Sequence, residues 1–136
     1  MLKKILLATL AVFVLWSLLD MILHYVLLAP MYEETSRLWR PTEEMKMHVM
    51  YLVGLIVSFC FSAIYAWLIH PKSIRHALLY GFIFGLAAGT SMGYGSYSSM
   101  PIPYGLALAW FLGVTVESIL GGLLLGLMVR PPVETE

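Results

Sequence analysis

The stretch ILLATLAVFVLWSLLDMILHYVLL, residues 5–28, decides the fold of this chain. Its apolar run is longer than the roughly 20 residues that an α-helix needs to cross a bilayer, so we predict a membrane-spanning helix. Asp20 lies inside this run, although a carboxylate at the bilayer centre costs about 2.5–3.5 kcal/mol even on insertion scales. His24 follows one helical turn later. The two side chains therefore need partners inside the protein.

The composition of the whole chain is that of a membrane protein. Of its 136 residues, 60% are hydrophobic and only 12% are charged, whereas soluble domains carry about 25% charged residues. We predict a single membrane domain over residues 1–136, in contact with the lipid bilayer. The formal net charge is zero, and no basic block is present, which argues against a nucleic acid partner.

The first apolar run resembles a signal peptide because Lys3 and Lys4 precede it. However, it is too long for the apolar region of a signal peptide, and no small-x-small cleavage pattern follows it. We therefore expect an uncleaved first span that also directs the chain to the membrane.

Three further apolar stretches are long enough to cross a bilayer, at about 46–69, 77–99 and 104–129. Backbone groups in hydrocarbon must form their hydrogen bonds internally, which favours helices, and short connections make successive helices antiparallel. The prediction is an all-α, four-transmembrane-helix antiparallel bundle with an outer loop over residues 30–45.

The basic residues indicate an orientation for this bundle. One side carries Lys3, Lys4, Lys72, Arg75 and Arg130, and the other carries Arg37, Arg40 and Lys46. Because cytoplasmic loops are richer in lysine and arginine, we expect both termini in the cytoplasm.

Small residues recur at helical spacing in the third and fourth spans. The glycines are Gly81, Gly85, Gly89 and Gly93 in the third, and Gly113, Gly121, Gly122 and Gly126 in the fourth. Such glycines let helix backbones approach closely, so we predict a glycine zipper within the bundle. Pairing with a membrane-protein partner or a second copy is the alternative.

Polar side chains from all four spans are predicted at the outer half of the bundle. They are Asp20, His24, His48, Tyr94 and Glu117, which are candidates for binding a ligand or a proton. In the second span, polar residues form one stripe at helical period, consisting of His48, Tyr51, Ser58, Ser62 and Tyr65. A polar stripe is costly in lipid, so we expect it to face the interior or a partner.

Four interpretations of these residues remain open. Two carboxylate-x-x-x-histidine pairs, Asp20 with His24 and Glu44 with His48, contain ligands that suit a transition metal. The two histidines could also be axial ligands of haem b. Asp20 and Glu117 are the deepest ionisable groups and could pass protons or small solutes. Finally, the polar groups could simply hydrogen-bond one another and hold the helices in register.

The sequence contains no signature of an enzyme. It has no Gly-x-Ser-x-Gly elbow and no phosphate-binding or dinucleotide-binding fingerprint. We therefore favour a non-catalytic accessory or assembly subunit of a larger membrane complex, without a cofactor. The alternative is a protein that handles ions, protons or a small ligand, including a metal or haem b, through Asp20, His24, His48 and Glu117.

Three segments resemble an uncharacterised family of small bacterial four-helix membrane proteins of unknown function. They are LLDMILHYVLLAPMY (18–32), GYGSYSS (93–99) and WFLGVTVESILGG (110–122). The resemblance implies the four-helix architecture and a location in the bacterial inner membrane, but it implies no mechanism.

Overall fold

The computed structural model describes residues 1–129, so Arg130 of the predicted basic side lies outside the described residues. Its main helices are α1 (Leu2–Leu27), α2 (Ala29–Glu34), α3 (Met47–Leu68), α4 (Ile74–Ser99) and α5 (Tyr104–Met128). All but the short α2 are long and apolar enough to cross a membrane, and the described part of the chain contains no strand. The predicted all-α, four-span fold is confirmed.

Two helices begin earlier than hydropathy predicts, α1 at residue 2 instead of 5 and α4 at residue 74 instead of 77. For α4 the reason is a side-chain cap: the backbone N–H of His76 donates to Ser73 Oγ over 3.1 Å. Such a cap satisfies one of the free N–H groups of the first turn. The helix start is therefore set by a hydrogen bond and not by the limit of the apolar run.

The bundle has two ends, which we name by what they carry. The terminal end carries the start of α1, residues 69–73 and the end of α5. The loop end carries the connection between α1 and α3 and the turn between α4 and α5. Each long helix runs opposite to the next one along the chain.

The contact between α4 and α5 is the most extensive in the bundle, and the glycines of α4 lie in it. A Cβ added at Gly85 would lie 2.8 Å from Thr115 Cα, and one at Gly89 would lie 2.7 Å from the Phe111 carbonyl oxygen. Gly81 and Gly93 face the backbone of α5 in the same way. Since no side chain separates them here, the two backbones touch along most of their length.

Helix α1 packs against both α3 and α5. In the terminal half, its buried residues Ile5, Ala8 and Val12 belong to an apolar core with Phe61 and Leu125. A second apolar cluster lies at the loop end, formed by Leu28, Ile102, Leu106, Ala107 and Trp110.

Helix α3 is buried along only part of its length. All of its buried residues lie between Ser58 and Ala66, whereas residues 48–57 are exposed apart from Gly54. The predicted polar stripe of this helix is therefore divided: Ser58, Ser62 and Tyr65 are buried, and His48 and Tyr51 are exposed. The depth of these polar residues along α3 therefore does not decide which of them pack against the other helices.

Two segments near the loop end have the wider π-helical turn, Met21–Leu27 in α1 and Ser91–Gly95 in α4. In α1 the hydrogen bonding extends over five residues, since Leu28 N–H donates to the Leu23 carbonyl over 2.9 Å. π-Helical turns of this kind occur often at functional sites, and this one contains His24.

The connection between α1 and α3 folds back over the loop end. After α2 it forms two short 3₁₀ turns, Ser36–Leu38 and Thr42–Glu44. Its apolar side chains pack on the second apolar cluster, through Met31, Tyr32, Leu38 and Trp39. An amphipathic segment that lies across the end of a bundle in this way suits a membrane interface.

Candidate functional site

A pair of carboxyl groups joins α1 to α5. Glu117 is only 9% exposed, and its carboxyl lies near that of Asp20. Asp20 keeps 54% of its side chain exposed. Two neighbouring carboxylates repel each other, and a single proton shared between them would relieve the repulsion.

Trp16 fixes the relative position of the two helices beside this pair. Its Nε1–H donates to the backbone carbonyl of Glu117 over 2.7 Å. The indole fits because Gly121 has no side chain: a Cβ there would lie 2.9 Å from Trp16 Nε1. Asp20 stands one helical turn beyond Trp16 on the same face of α1, which brings it to Glu117.

His24 continues the polar contacts towards the loop end. Its Nε2 lies 3.6 Å from Asp20 Oδ1, and its Nδ1 lies 2.6 Å from Tyr32 Oη. Both ring nitrogens thus face protein groups, one on α1 and one on α2.

Tyr32 receives a further hydrogen bond, from Trp110 Nε1 over 2.8 Å. An indole N–H can only donate, so the hydroxyl oxygen of Tyr32 accepts from it and its own proton is free to be donated to His24 Nδ1. In this pattern His24 is neutral and directs Nε2–H at Asp20. We assign the tautomer from these contacts.

The hydroxyl of Tyr32 is held in its protonated form. Burial raises its pKa, the hydrogen bond from Trp110 opposes this, and the charge of Asp20 raises it again. Tyr32 also packs edge-on against Trp39, with ring centroids 5.7 Å apart, and Trp39 contacts Trp110 at 5.9 Å. The phenol is therefore a fixed donor at the boundary between the bundle and the connecting segment.

Together Glu117, Asp20, His24 and Tyr32 form what we call the polar chain. It runs from the middle of α5 along α1 to α2 at the loop end. Each step joins residues on neighbouring turns or neighbouring helices, through the contacts given above. The chain is thus a series of groups that can donate or accept a proton, in which the step from His24 Nε2 to Asp20 Oδ1, at 3.6 Å, is longer than a hydrogen bond.

An aromatic cluster separates the polar chain from the terminal end. Phe61 of α3 lies at its centre, with ring centroids 4.9 Å from Trp16, 4.8 Å from Tyr80 and 4.9 Å from Phe84. Tyr80 also donates a hydrogen bond from its hydroxyl to the Phe61 carbonyl over 2.8 Å. The aromatic cluster therefore lies between the polar chain and the terminal end.

Three sequence candidates lie apart from the polar chain. His48 and Glu44 are exposed, and within residues 1–129 neither shares a hydrogen bond, ion pair or ring contact with it. Tyr94 pairs its hydroxyl with that of Tyr104 at 3.1 Å and packs on Phe111 at 5.6 Å. It belongs to a separate tyrosine group on α4 and α5.

The geometry bears on the metal and haem interpretations. Among residues 1–129, no group of three or more His, Cys, Asp or Glu side chains is arranged to hold a metal ion. Asp20 and His24 are adjacent, but His48 and Glu44 do not join them. For haem, His24 would have to give up its contact with Tyr32 or turn away from Asp20.

Sequence reasoning identified Asp20, His24 and Glu117 but did not include Tyr32 or Trp110 among the candidate site residues. A signal for Trp110 was present, because it lies seven residues before Glu117 and hence on the same face of α5. Tyr32 offered no comparable signal, since its position depends on how the chain turns back after α1.

Comparison with protein-family models, with curated proteins and with solved structures finds no match to this chain. The resemblance to small bacterial four-helix proteins stays a prediction, and the geometry of the polar chain is what bears on function.

Proposed function

We propose that this small integral membrane protein passes protons across the membrane by way of the Asp20–Glu117 pair. One observation carries the proposal: the polar chain places Glu117, Asp20, His24 and Tyr32 in series between the middle of α5 and the loop end. Ionisable groups inside a membrane are expensive, so where they occur they commonly serve proton or ion movement.

The chain can pass a proton inward without creating an isolated charge. His24 gives its Nε2 proton to the Asp20 carboxylate while its Nδ1 receives the hydroxyl proton of Tyr32, and Tyr32 is reprotonated from water at the loop end. The imidazole ends neutral, and the carboxyl pair gains one proton. Passage on to the terminal end requires the aromatic cluster to open transiently, so a flux across the membrane reports both steps.

We place the loop end outside the cell and both termini in the cytoplasm, on the basis of the basic residues. In a bacterium this would be the inner membrane, as the family resemblance implies. A proton gradient across that membrane would then drive protons into the polar chain from outside.

Proteoliposomes test the proposal directly. A potassium diffusion potential is imposed with valinomycin, and a trapped pH-sensitive dye reports proton entry. We expect flux above that of protein-free vesicles, and we expect Asp20→Asn and Glu117→Gln to reduce it to that background. Glu44→Gln is the matched control for Glu117→Gln, because it makes the same change outside the polar chain, and it should leave flux unchanged. Equal flux in all variants would overturn the proposal.

A second function is supported by a separate observation, the exposure of α3 over residues 48–57. Over this stretch of α3 nearly every side chain is exposed, including those of His48 and Tyr51. This favours an accessory or assembly subunit whose partner is another membrane protein or a second copy. On this view the glycine zipper holds α4 and α5 together so that α3 is free to bind.

Gentle detergent extraction with size-exclusion chromatography and mass spectrometry tests the subunit function. A stoichiometric partner that is lost in a Tyr51→Ala variant supports it, provided that Tyr104→Ala keeps the partner. A monomer that passes protons on its own would contradict it.

A further inference from the structure

We propose that the Asp20–Glu117 pair binds an organic cation with an apolar body, which enters from the lipid through an opening between α1, α3 and α5. The proposal names a ligand for the site of the proposed function and in that sense rests on it. Binding of the cation is nevertheless measured without any flux, so the two proposals can fail separately.

Helical spacing places Asp20 in the seam that α1 forms with α3 and α5. Phe13, seven residues earlier, lies against α3, where a Cβ added at Gly54 would lie 3.4 Å from its ring. Leu23, three residues later, lies against Gly113 of α5. Since residues at spacings of three and seven share one side of a helix, Asp20 points between these two neighbouring helices.

The seam is open at Asp20. Trp16, one turn earlier, is covered by Phe61 of α3, with ring centroids 4.9 Å apart. Asp20 has 54% of its side chain exposed, and α3 is exposed over residues 48–57 apart from Gly54. The helix that covers Trp16 thus leaves Asp20 uncovered.

The opening lies at the level of the hydrocarbon. At a rise of about 1.5 Å per residue, Asp20 lies about 10 Å inside the loop end of α1, and the hydrocarbon layer is about 30 Å thick. Lipid headgroups stay at the surface of the membrane, so their amines do not reach this carboxyl. A ligand that enters here must itself be soluble in hydrocarbon.

Glu117 gives an independent indication of a ligand. Its side chain is only 9% exposed and lies near Asp20. Within residues 1–129, the ion pair of this region joins Asp20 to His24, and no cation or hydrogen-bond donor contacts the Glu117 carboxyl. A buried carboxylate without such a partner is costly. A cation between the two acids would supply the missing positive charge.

The surroundings of the pair select the chemical class of this cation. Ca²⁺ requires about six to eight oxygen ligands, and among residues 1–129 no group of three or more His, Cys, Asp or Glu side chains could hold a metal ion. The exposed stretch 48–57 of α3 is apolar apart from His48, Tyr51 and Gly54. Trp16 contributes an indole ring, which attracts organic cations. A lipophilic ammonium or phosphonium ion matches both the charge and the apolar walls.

A proton and the organic cation are alternative ligands of the pair. Asp20 is faced by His24 of its own helix, by Tyr32 of α2 and by Glu117 of α5. A proton that reaches Asp20 from His24 removes one negative charge from the pair and weakens its hold on the cation. Proton delivery through the polar chain therefore releases the cation into the lipid.

Equilibrium binding of radiolabelled tetraphenylphosphonium tests the proposal. We expect saturable binding to the purified protein in detergent at pH 8, and we expect Asp20→Asn and Glu117→Gln each to weaken it by more than about tenfold. Glu44→Gln, the same change at an exposed glutamate, should keep the affinity. Tetramethylammonium has the charge without the apolar body and should bind more than about tenfold more weakly.

Cysteine protection locates the site in protein whose carboxyl pair is intact. In a Cys60→Ser background, Tyr51→Cys places a thiol beside the opening, since α3 runs opposite to α1 and Tyr51 shares a side of the helix with the buried Ser58. Tetraphenylphosphonium at ten times its dissociation constant should slow labelling by N-ethylmaleimide about tenfold. Ile56→Cys, on the other side of α3, is the control and should label at an unchanged rate.

Three results would overturn the cation site: no saturable binding, equal affinity in the two carboxyl variants, or displacement of the probe by Na⁺ as readily as by unlabelled tetraphenylphosphonium. Saturable binding in a protein without proton flux would remove the proposed function and leave the cation site standing. Proton flux without binding of the probe would do the reverse.

Discussion

Replacing Gly85 by alanine tests whether backbone contact between α4 and α5 holds the bundle together. The added Cβ would lie 2.8 Å from Thr115 Cα, 2.9 Å from Ser118 Cβ and 3.0 Å from the Thr115 carbonyl oxygen. Two of these three atoms belong to the backbone of α5, which cannot turn aside as a flexible side chain can. The two helices must therefore separate locally.

The expected magnitude follows from two opposing effects. Forcing an extra carbon into a closely packed contact costs about 1–3 kcal/mol. Alanine in place of glycine within a helix returns about 0.5–1 kcal/mol. The difference predicts that Gly85→Ala lowers the free energy of unfolding by about 0.5–2 kcal/mol.

Gly95 is the matched control, since it also lies in α4 and a Cβ there would meet nothing within 4 Å. Gly95→Ala should leave stability unchanged or raise it slightly, because only the helix preference remains. The assay is reversible unfolding in mixed micelles as the fraction of denaturing detergent increases, followed by circular dichroism. Equal stability of the two variants would refute the backbone contact.

Three further predictions concern single contacts and are measured in the same unfolding assay. Trp16→Phe removes the hydrogen bond to the Glu117 carbonyl, and we expect a loss near the average of about 0.6 kcal/mol for such contacts in membranes. It should also lower proton flux, because Asp20 and Glu117 lose their alignment; an unchanged flux would contradict this. Lys72→Met removes the donor to two carbonyl oxygens at the end of α3 and should cost about 0.5–1 kcal/mol, whereas Lys46→Met should cost nothing measurable. Ser62→Ala removes a buried hydroxyl that has no hydrogen-bond partner among residues 1–129, so stability should stay equal or rise, and a clear loss would reveal a partner.

Much of the fold was predictable because the thickness of the hydrocarbon layer sets the length of each helix. The predicted span 46–69 differs from α3 by one residue at each end, and α5 begins at the predicted residue. The start of α4 was not predicted, because the Ser73 cap and not hydropathy determines it. Helix ends that depend on single hydrogen bonds escape an analysis of apolar runs.

The site was predictable only in part. Helical spacing places Trp16, Asp20 and His24 on one face of α1, and the structure brings that face to Glu117. His48 was expected to join them at a matching depth, but it is exposed on a part of α3 that packs against little else. Depth gives one coordinate of a side chain, while the direction in which it points depends on how the helices pack.

By itself the sequence determined that four helices cross a membrane and that α1 and α5 each carry a carboxyl within it, because apolar length and residue type are local properties of the chain. The tertiary structure decided that these two carboxyls lie near each other, that Tyr32 returns from the connecting segment to meet His24, and that the aromatic cluster lies between them and the terminal end. These contacts join residues distant in the chain, and they depend on helix rotation and on the packing of glycine faces.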